Sequence, residues 1–368
     1  MTRVAIFGAL VVFAAACGED PDPAAGSTGH DGASDASTQA AATDGSSGPA
    51  SGGADSSSGG PVACTDSPDA MADCVDQALY VDSLQFVAQT RAPTEPHWQV
   101  VQDHLAQQLT AFGYEVELDV YETGTNVIGR LRGTLGTSDV IISAHYDSVS
   151  DCEGADDNAS GVAGALEAAR VLAMGEYEND LVIAFWDQEE VGLIGARSYV
   201  NRAVDRGDDV AANYNLEMIG YTDDTPGAQS VPTGFDLVFP EGYAQVEDHE
   251  FRGDFITLVA DDLIAEGAAA FVEQAQRLEL RTIHLELDAS LKTSPLLSDL
   301  RRSDHAPFWD VDYPAMMITD TSEFRYPNYH CNPAPDVVED LDHPFSRKVV
   351  AATVGASAQT LVLLGPAS

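Results

Sequence analysis

The sequence predicts an α/β protein in three layers, α/β/α, around a central mixed, mostly parallel sheet. Three observations predict it. Short, largely apolar runs at 140–144, 181–185, 211–216, 255–259 and 314–319 read as buried strands. Helical patterns separate them, the plainest placing Val162, Ala165, Leu166, Ala169 and Leu172 on one face. Residues with chemistry to offer follow the runs directly, where an open α/β sheet binds its ligands.

In chain order, a helical pattern beginning at Leu79 ends at Pro93. A second helix opens at Pro96, a favourable first helical position, and its apolar residues Trp98, Val101, Leu105, Leu109 and Phe112 step by three and four until Gly113. The period then switches to two. Tyr114, Val116, Leu118 and Val120 form a half-exposed strand, and a turn at Gly124 leads to its antiparallel partner at 126–131. The run 140–144 delivers His145-Tyr146-Asp147-Ser148, and a small, polar stretch at 154–161 precedes the next helix. The run 181–185 leads into Trp186-Asp187-Gln188-Glu189-Glu190, then Gly192 and a further apolar pattern through Ile194, Tyr199 and Val200. Adjacent side chains on one turn point about 100° apart, so Glu189 and Glu190 suit two roles, a metal ligand and a general base. The run 211–216 delivers Glu217. The Gly/Pro-rich segment 223–255 is long enough to form part of a cover over the site. A helix is expected at 262–278, and a last one at 345–364, stopped by Gly365-Pro366.

The 368 residues are 44% hydrophobic, enough for a large core, and 17 Lys and Arg stand against 60 Asp and Glu, a net charge of −43. That balance excludes a nucleic-acid partner and an acidic membrane surface, both of which need basic residues. Residues 1–17 have the form of an export signal: Arg3, an apolar run, then a small-residue cleavage zone. The run is shorter than the roughly 20 residues of a permanent membrane span. Ala14-Ala15-Ala16 fits ordinary signal cleavage, while Cys17 directly after it makes a lipoprotein-type site in which Cys17 carries the lipid. The expected location is the cell envelope, as a lipoprotein of the outer or cytoplasmic membrane, or the outside of the cell. Any membrane attachment then runs through the N-terminal lipid alone. Residues 18–62 lack Lys, Arg, aromatic residues, Leu, Ile and Met, and cannot offset their own ordering entropy. They are expected to be a disordered tether, with 63–368 as the one folded domain.

Three strand ends carry His145, Glu189-Glu190 and Glu217; the loop after the first adds Asp157, and the last strand leads towards His330. This is a His- and carboxylate-rich set without thiolate, which suits zinc or a similar divalent ion. Of the five cysteines, the four beyond Cys17 allow three pairings. Cys64 and Cys74 are close in sequence and are expected to pair. Cys152 and Cys331 each lie near a candidate ligand, and a disulfide between them would brace the site; thiolate ligation of a metal is the alternative.

The strings HYDS, GADDNASG, DQEEVGLIGARSY, NLEMIG, RRSDHAPF and NYHC, in this order, resemble metallopeptidase family twenty-eight, the co-catalytic di-zinc exopeptidases, over roughly residues 81–364. That family includes secreted bacterial aminopeptidases, glutamate carboxypeptidase and glutaminyl cyclase. The resemblance implies the zinc-exopeptidase (phosphorylase/hydrolase-like) fold, two Zn2+ per chain, and a peptidase catalytic domain at 63–368. Position by position, His145 resembles the imidazole ligand of one zinc, and Asp157 the carboxylate that bridges both. Glu190 and His330 resemble ligands of the other zinc, Glu189 the general base, and Asp147 a carboxylate that orients a ligand histidine. Asp304, His305 and Tyr329 fall beside the ligands or in the substrate pocket. Two positions depart from the family: Glu217 stands where Asp is usual, on the zinc of His145, and Cys331 where Thr is frequent, which favours its disulfide with Cys152. Nothing resembles a lid domain between Leu131 and Val140, so loops alone are expected to cover the site. The implied activity is an aminopeptidase acting on peptides with a free N-terminus. A carboxypeptidase or glutaminyl-cyclase-type enzyme is the alternative, and a non-catalytic surface binding protein the third reading.

Overall fold

The computed structural model describes residues 63–367; the export signal, Cys17 and the tether lie outside the described residues. The described chain enters through α1 (Pro68–Asp73) and α2 (Gln77–Val87), each started by a side-chain cap: Ser67 accepts the Ala70 N–H, and Asp76 those of Ala78 and Leu79. A disulfide joins Cys64 to Cys74 at this entry. The following helix, α3 (Pro96–Ala111), starts at proline and buries Val101, Leu105 and Leu109. The period-two stretch forms β1 (Glu115–Val120), an antiparallel hairpin with β2 (Thr125–Leu131).

The buried runs then alternate with helices: β3 (Asp139–His145), α4 (Gly161–Leu172), the short β4 (Gly175–Tyr177), β5 (Asp180–Trp186), α5 (Ile194–Arg206) and β6 (Val210–Glu217). Two short helices follow, α6 (Phe235–Val238) and α7 (Pro240–Asp248), then β7 (Ile256–Asp261), α8 (Ala265–Arg277) and β8 (Thr282–Leu287). The chain closes with α9 (Ala306–Trp309), β9 (Ala315–Thr319), α10 (His343–Leu361) and β10 (Leu363–Pro366).

Eight of the described strands make one mixed sheet, in the order β1-β2-β5-β3-β6-β9-β7-β8. The central β5, β3, β6 and β9 are mutually parallel. One apolar cluster, with α4, α8 and α10, fills one side of the sheet; a second, with α5, α7 and α9, fills the other. The predicted three-layer class is the observed one. From β3 the chain goes to β5 on one side, and from β5 it crosses to β6 on the other, so the strand order reverses at the carboxyl end of β3. That switch point is where an open sheet leaves a crevice.

Four expectations change. The last helix does not reach 364: it ends at Leu361, Val362 takes a positive φ of 61°, and β10 pairs antiparallel with β4. The helix expected from 262 opens with a 3-10 turn, Asp262–Ile264, before α8 begins. An additional strand, β8, extends the sheet parallel to β7, where alternation with polar His284 and Glu286 had masked it. The cover over 223–255 is partly helical rather than loop alone, because Gly234 (φ +85°) and Pro240 break it into α6 and α7. Among the described residues no helix is long and apolar enough to cross a membrane.

Candidate metal centre

Sheet register brings the candidate ligands to one edge. His145 is level with Trp186, immediately before the Asp187–Glu190 turn. Ser143 pairs with Asn215, so two residues further on His145 and Glu217 stand side by side. Glu217 in turn pairs with Thr319 of β9, which leads to the loop of His330. Asp157 comes from the stretch between β3 and α4, where its peptide bond to Asn158 is cis.

These residues form two groups that share Asp157: His145, Asp157 and Glu217, and Asp157, Glu190 and His330, with candidate ligand atoms within 4.8 Å of one another in each. His145 Nε2 lies 3.2 Å from Asp157 Oδ1 and 3.5 Å from Glu217 Oε2. His330 Nε2 lies 3.2 Å from Asp157 Oδ2 and 3.3 Å from Glu190 Oε2. One carboxylate thus turns one oxygen to each histidine. His145 Nε2, His330 Nε2 and Glu190 Oε1 are buried and have no hydrogen-bond partner. Buried polar atoms left in this state are costly, and a pair of divalent cations would satisfy them all. The donor set, imidazole and carboxylate without thiolate, fits zinc.

The electrostatics agree. Burial works against a charged His145, yet Glu217, Glu189, Asp147 and Asp157 together hold its imidazole well above the ordinary range. His330 is likewise pushed up to about 10: Asp157 and Glu190 outweigh its burial. Glu190 is pushed up to about 7 by burial and by Asp157. A site that holds protons this tightly is a site short of positive charge.

The surrounding side chains fix the candidate ligands. Asp147 lies 3.4 Å from His145 Nδ1 and accepts the backbone N–H groups of Glu189 (3.0 Å) and Glu190 (3.3 Å), tying the glutamate turn to the β3 end. Glu217, although one methylene longer than Asp, reaches the cluster; Ser303 Oγ donates to its Oε2 (2.6 Å) and in turn accepts from Asn215 Nδ2 (2.7 Å). Asp336 accepts the N–H groups of Asp156 and Asp157 (3.0–3.1 Å) and so holds the backbone of the residue common to both groups. Asp304 is fully buried beside the cluster. Tyr329 stacks on His330 (3.8 Å between ring centres), and its hydroxyl accepts from Arg302 Nη2 at 2.9 Å. His305 turns the other way: Nε2 meets the Leu300 carbonyl at 2.9 Å and the ring sits against Trp309. Cys152 and Cys331 are joined by a disulfide. Ser303, Asn215 and Asp336 carry no periodic or spacing signal; the sequence reading missed them.

Asp157, Glu189, Glu190 and Glu217 border a cavity whose wall is apolar: Phe235 and Val246 from the cover, Phe255 and Val259 from β7 and its approach, and Ile283 and Leu285 from β8. The cluster therefore faces a pocket fit for an apolar group.

Residues 126–249 match the model of peptidase family M28. Over 228 residues the chain is 34% identical to the uncharacterized protein YfbL of Escherichia coli K12, covering 58% of this chain and 65% of YfbL. Over 132 residues it is 37% identical to the probable lipoprotein aminopeptidase LpqL of Mycobacterium tuberculosis, covering 33% of this chain and 26% of LpqL. The chain thus spans less than two thirds of the length of the curated relatives it matches. In fold it is similar to the LapA aminopeptidase of Legionella pneumophila, with a TM-score of 0.61 at 15% identity, over 80% of this chain and 74% of that one. In its motifs, its fold and the match over residues 126–249, this chain resembles peptidase family M28.

Proposed function

We propose that the chain is an exported zinc exopeptidase, and specifically an aminopeptidase that removes apolar residues from the N-termini of peptides. The observation that carries it is the sharing of Asp157: its two oxygens face two histidines, each group is completed by one glutamate, and Glu189 stands free beside both. Residues His145, Asp157 and Glu217 would hold one ion, and Asp157, Glu190 and His330 the other. When bound, a zinc pair supplies Lewis acidity that polarises a peptide carbonyl and brings the pKa of water towards 7.

The chain's own residues do the rest. Glu189 takes a proton from the attacking water and passes it to the leaving amine as the C–N bond breaks. Burial pushes its carboxyl well above the usual range, His145 opposes, and Glu217, Asp304 and Glu190 add to the rise. It is therefore a stronger base than a solvated glutamate. Asp147 holds the turn that carries Glu189, and the cover excludes water from the apolar cavity while the side chain of the first residue occupies it. The name of the similar lipoprotein aminopeptidase LpqL supports the N-terminus as the preferred end. Two disulfides support export, since they persist in oxidising compartments. A lipid on Cys17 would then be the membrane attachment.

The test uses the full chain loaded with zinc and three peptides of otherwise identical sequence: one with a free N-terminus, one acetylated, one beginning with Gln. Stepwise loss from the free peptide alone is the expected result, read by mass spectrometry. Loss from the other end of the acetylated peptide makes it a carboxypeptidase, loss of ammonia from the Gln peptide a cyclase, and no reaction with two ions bound a binding protein.

A further inference from the structure

Arg91 lies outside every motif, in the connection between α2 and α3, and its side chain is buried completely. Its guanidinium donates to five backbone carbonyls. Nε reaches Tyr146 (2.9 Å), Nη1 reaches Gln89 (3.2 Å) and Glu153 (2.5 Å), and Nη2 reaches Gly154 (2.9 Å) and Asp157 (3.4 Å). Its own N–H donates to Ser148 Oγ at 3.1 Å. Every donor a guanidinium possesses is used, and none goes to a carboxylate.

The acceptors have a pattern. Tyr146 follows His145 directly, Glu153 and Gly154 lead into Asp157, and the last bond is to Asp157 itself. The loop is built for this approach: Gly154 sits at φ +55°, and a side chain there would place Cβ 2.1 Å from the Asp157 carbonyl oxygen. A buried cation with no ion-pair partner is costly unless other charge compensates it. Burial lowers the Arg91 pKa, and the opposing influences are Asp157, Asp336, Asp147 and Glu190, members of the metal centre and its support.

We infer that Arg91 is the positioning residue of the shared ligand: its five-point grip on the carbonyls of residues 89, 146, 153, 154 and 157 sets Asp157 against His145, so that both ion sites depend on it together. Glu190 and Glu217 each serve one ion; Arg91 acts on neither ion directly but on the carboxylate common to both. A lysine cannot replace it, having three donors at one point where the loop needs five in a planar fork. This rests on the two-ion reading of the centre.

The experiment measures zinc content and stepwise zinc affinity, by competition with a chromophoric chelator, for the full chain and for Arg91→Lys and Arg91→Ala, with circular dichroism as the control for folding. The unaltered chain must first bind two ions; one or none overturns the reading beneath the inference. Given two, both variants should lose at least tenfold in affinity for each ion, in parallel, whereas Glu190→Gln weakens only one. Ethylguanidinium in the medium should restore both affinities to Arg91→Ala, and ethylammonium should not. A lysine variant that keeps both affinities within twofold, or loses only one, overturns the inference. If Arg91→Ala does not fold, the lysine variant alone decides.

Discussion

Cys152 and Cys331 join two loops that are 179 residues apart in sequence and that carry two residues of the candidate metal centre. Cys152 leads into Asp157; Cys331 follows His330. Both His330 and Cys331 adopt positive φ, 54° and 56°, a conformation that costs non-glycine residues of order 1–3 kcal/mol each and persists only where the surroundings impose it. The disulfide is a covalent restraint on this turn. A Cys331→Ser chain should keep the ion held through His145 and weaken the one held through His330 at least tenfold, read as a fall from two zinc ions towards one by elemental analysis. Removing a native disulfide also costs about 2–5 kcal/mol of stability. Equal loss of both ions would mean that the bridge supports the whole fold rather than the His330 loop.

Glu189 touches neither histidine, and its neighbour Glu190 is the one 3.3 Å from His330. Under the proposed function the two adjacent carboxylates separate into base and ligand. Glu189→Gln should keep two zinc ions and fold normally while kcat falls by about 10²–10⁴-fold. Unchanged turnover would remove Glu189 from the reaction.

Much of this arrangement was legible in the sequence because burial on both faces leaves a plain mark. The runs that became β3 and β5 are apolar without alternation, and they end in His145 and in Glu189-Glu190, so strand and chemistry are read from the same stretch. β8 was missed for the opposite reason. As an edge strand it is wet on one side, and Thr282, His284 and Glu286 dilute its apolar residues. Arg91, Ser303 and Asp336 act through hydrogen bonds to partners distant in sequence, and such contacts have no period. The one available cue for Arg91 was its scarcity, a cation two residues before Pro93 in a chain with 17 basic residues and 60 acidic ones.

His305 carries a pH dependence of its own. It is fully buried, and burial pushes its imidazole down to about 4, the Leu300 carbonyl opposing and Arg301 adding to the fall. An unfolded histidine titrates near 6.5, so between the two values the unfolded chain binds a proton that the folded chain refuses. Stability is therefore complete above about 6.5 and lost as pH falls towards 4, by about 2–3 kcal/mol from this residue. Urea unfolding of zinc-free protein at pH 7.5 and 4.5 measures the loss, and His305→Gln should remove that share of it. The same slope in both proteins would assign the acid sensitivity to other groups.

The apolar cavity supplies the last prediction. Val246 stands on α7 of the cover and lines the cavity together with Ile283 and Leu285 of β8. A large first residue would fill this space; an alanine would not reach it. Val246→Phe extends a ring into that space from the cover, which can give way more easily than a central strand. One methylene in an apolar pocket is worth about 1–3 kcal/mol of discrimination, or roughly 10–200-fold. For the variant, kcat/KM on peptides beginning with Leu or Phe should fall at least tenfold, while that on peptides beginning with Ala changes by less than about threefold. Parallel losses on all of them would mean that the cavity is not where the first side chain binds. The whole effect would then lie in the positioning of the cover.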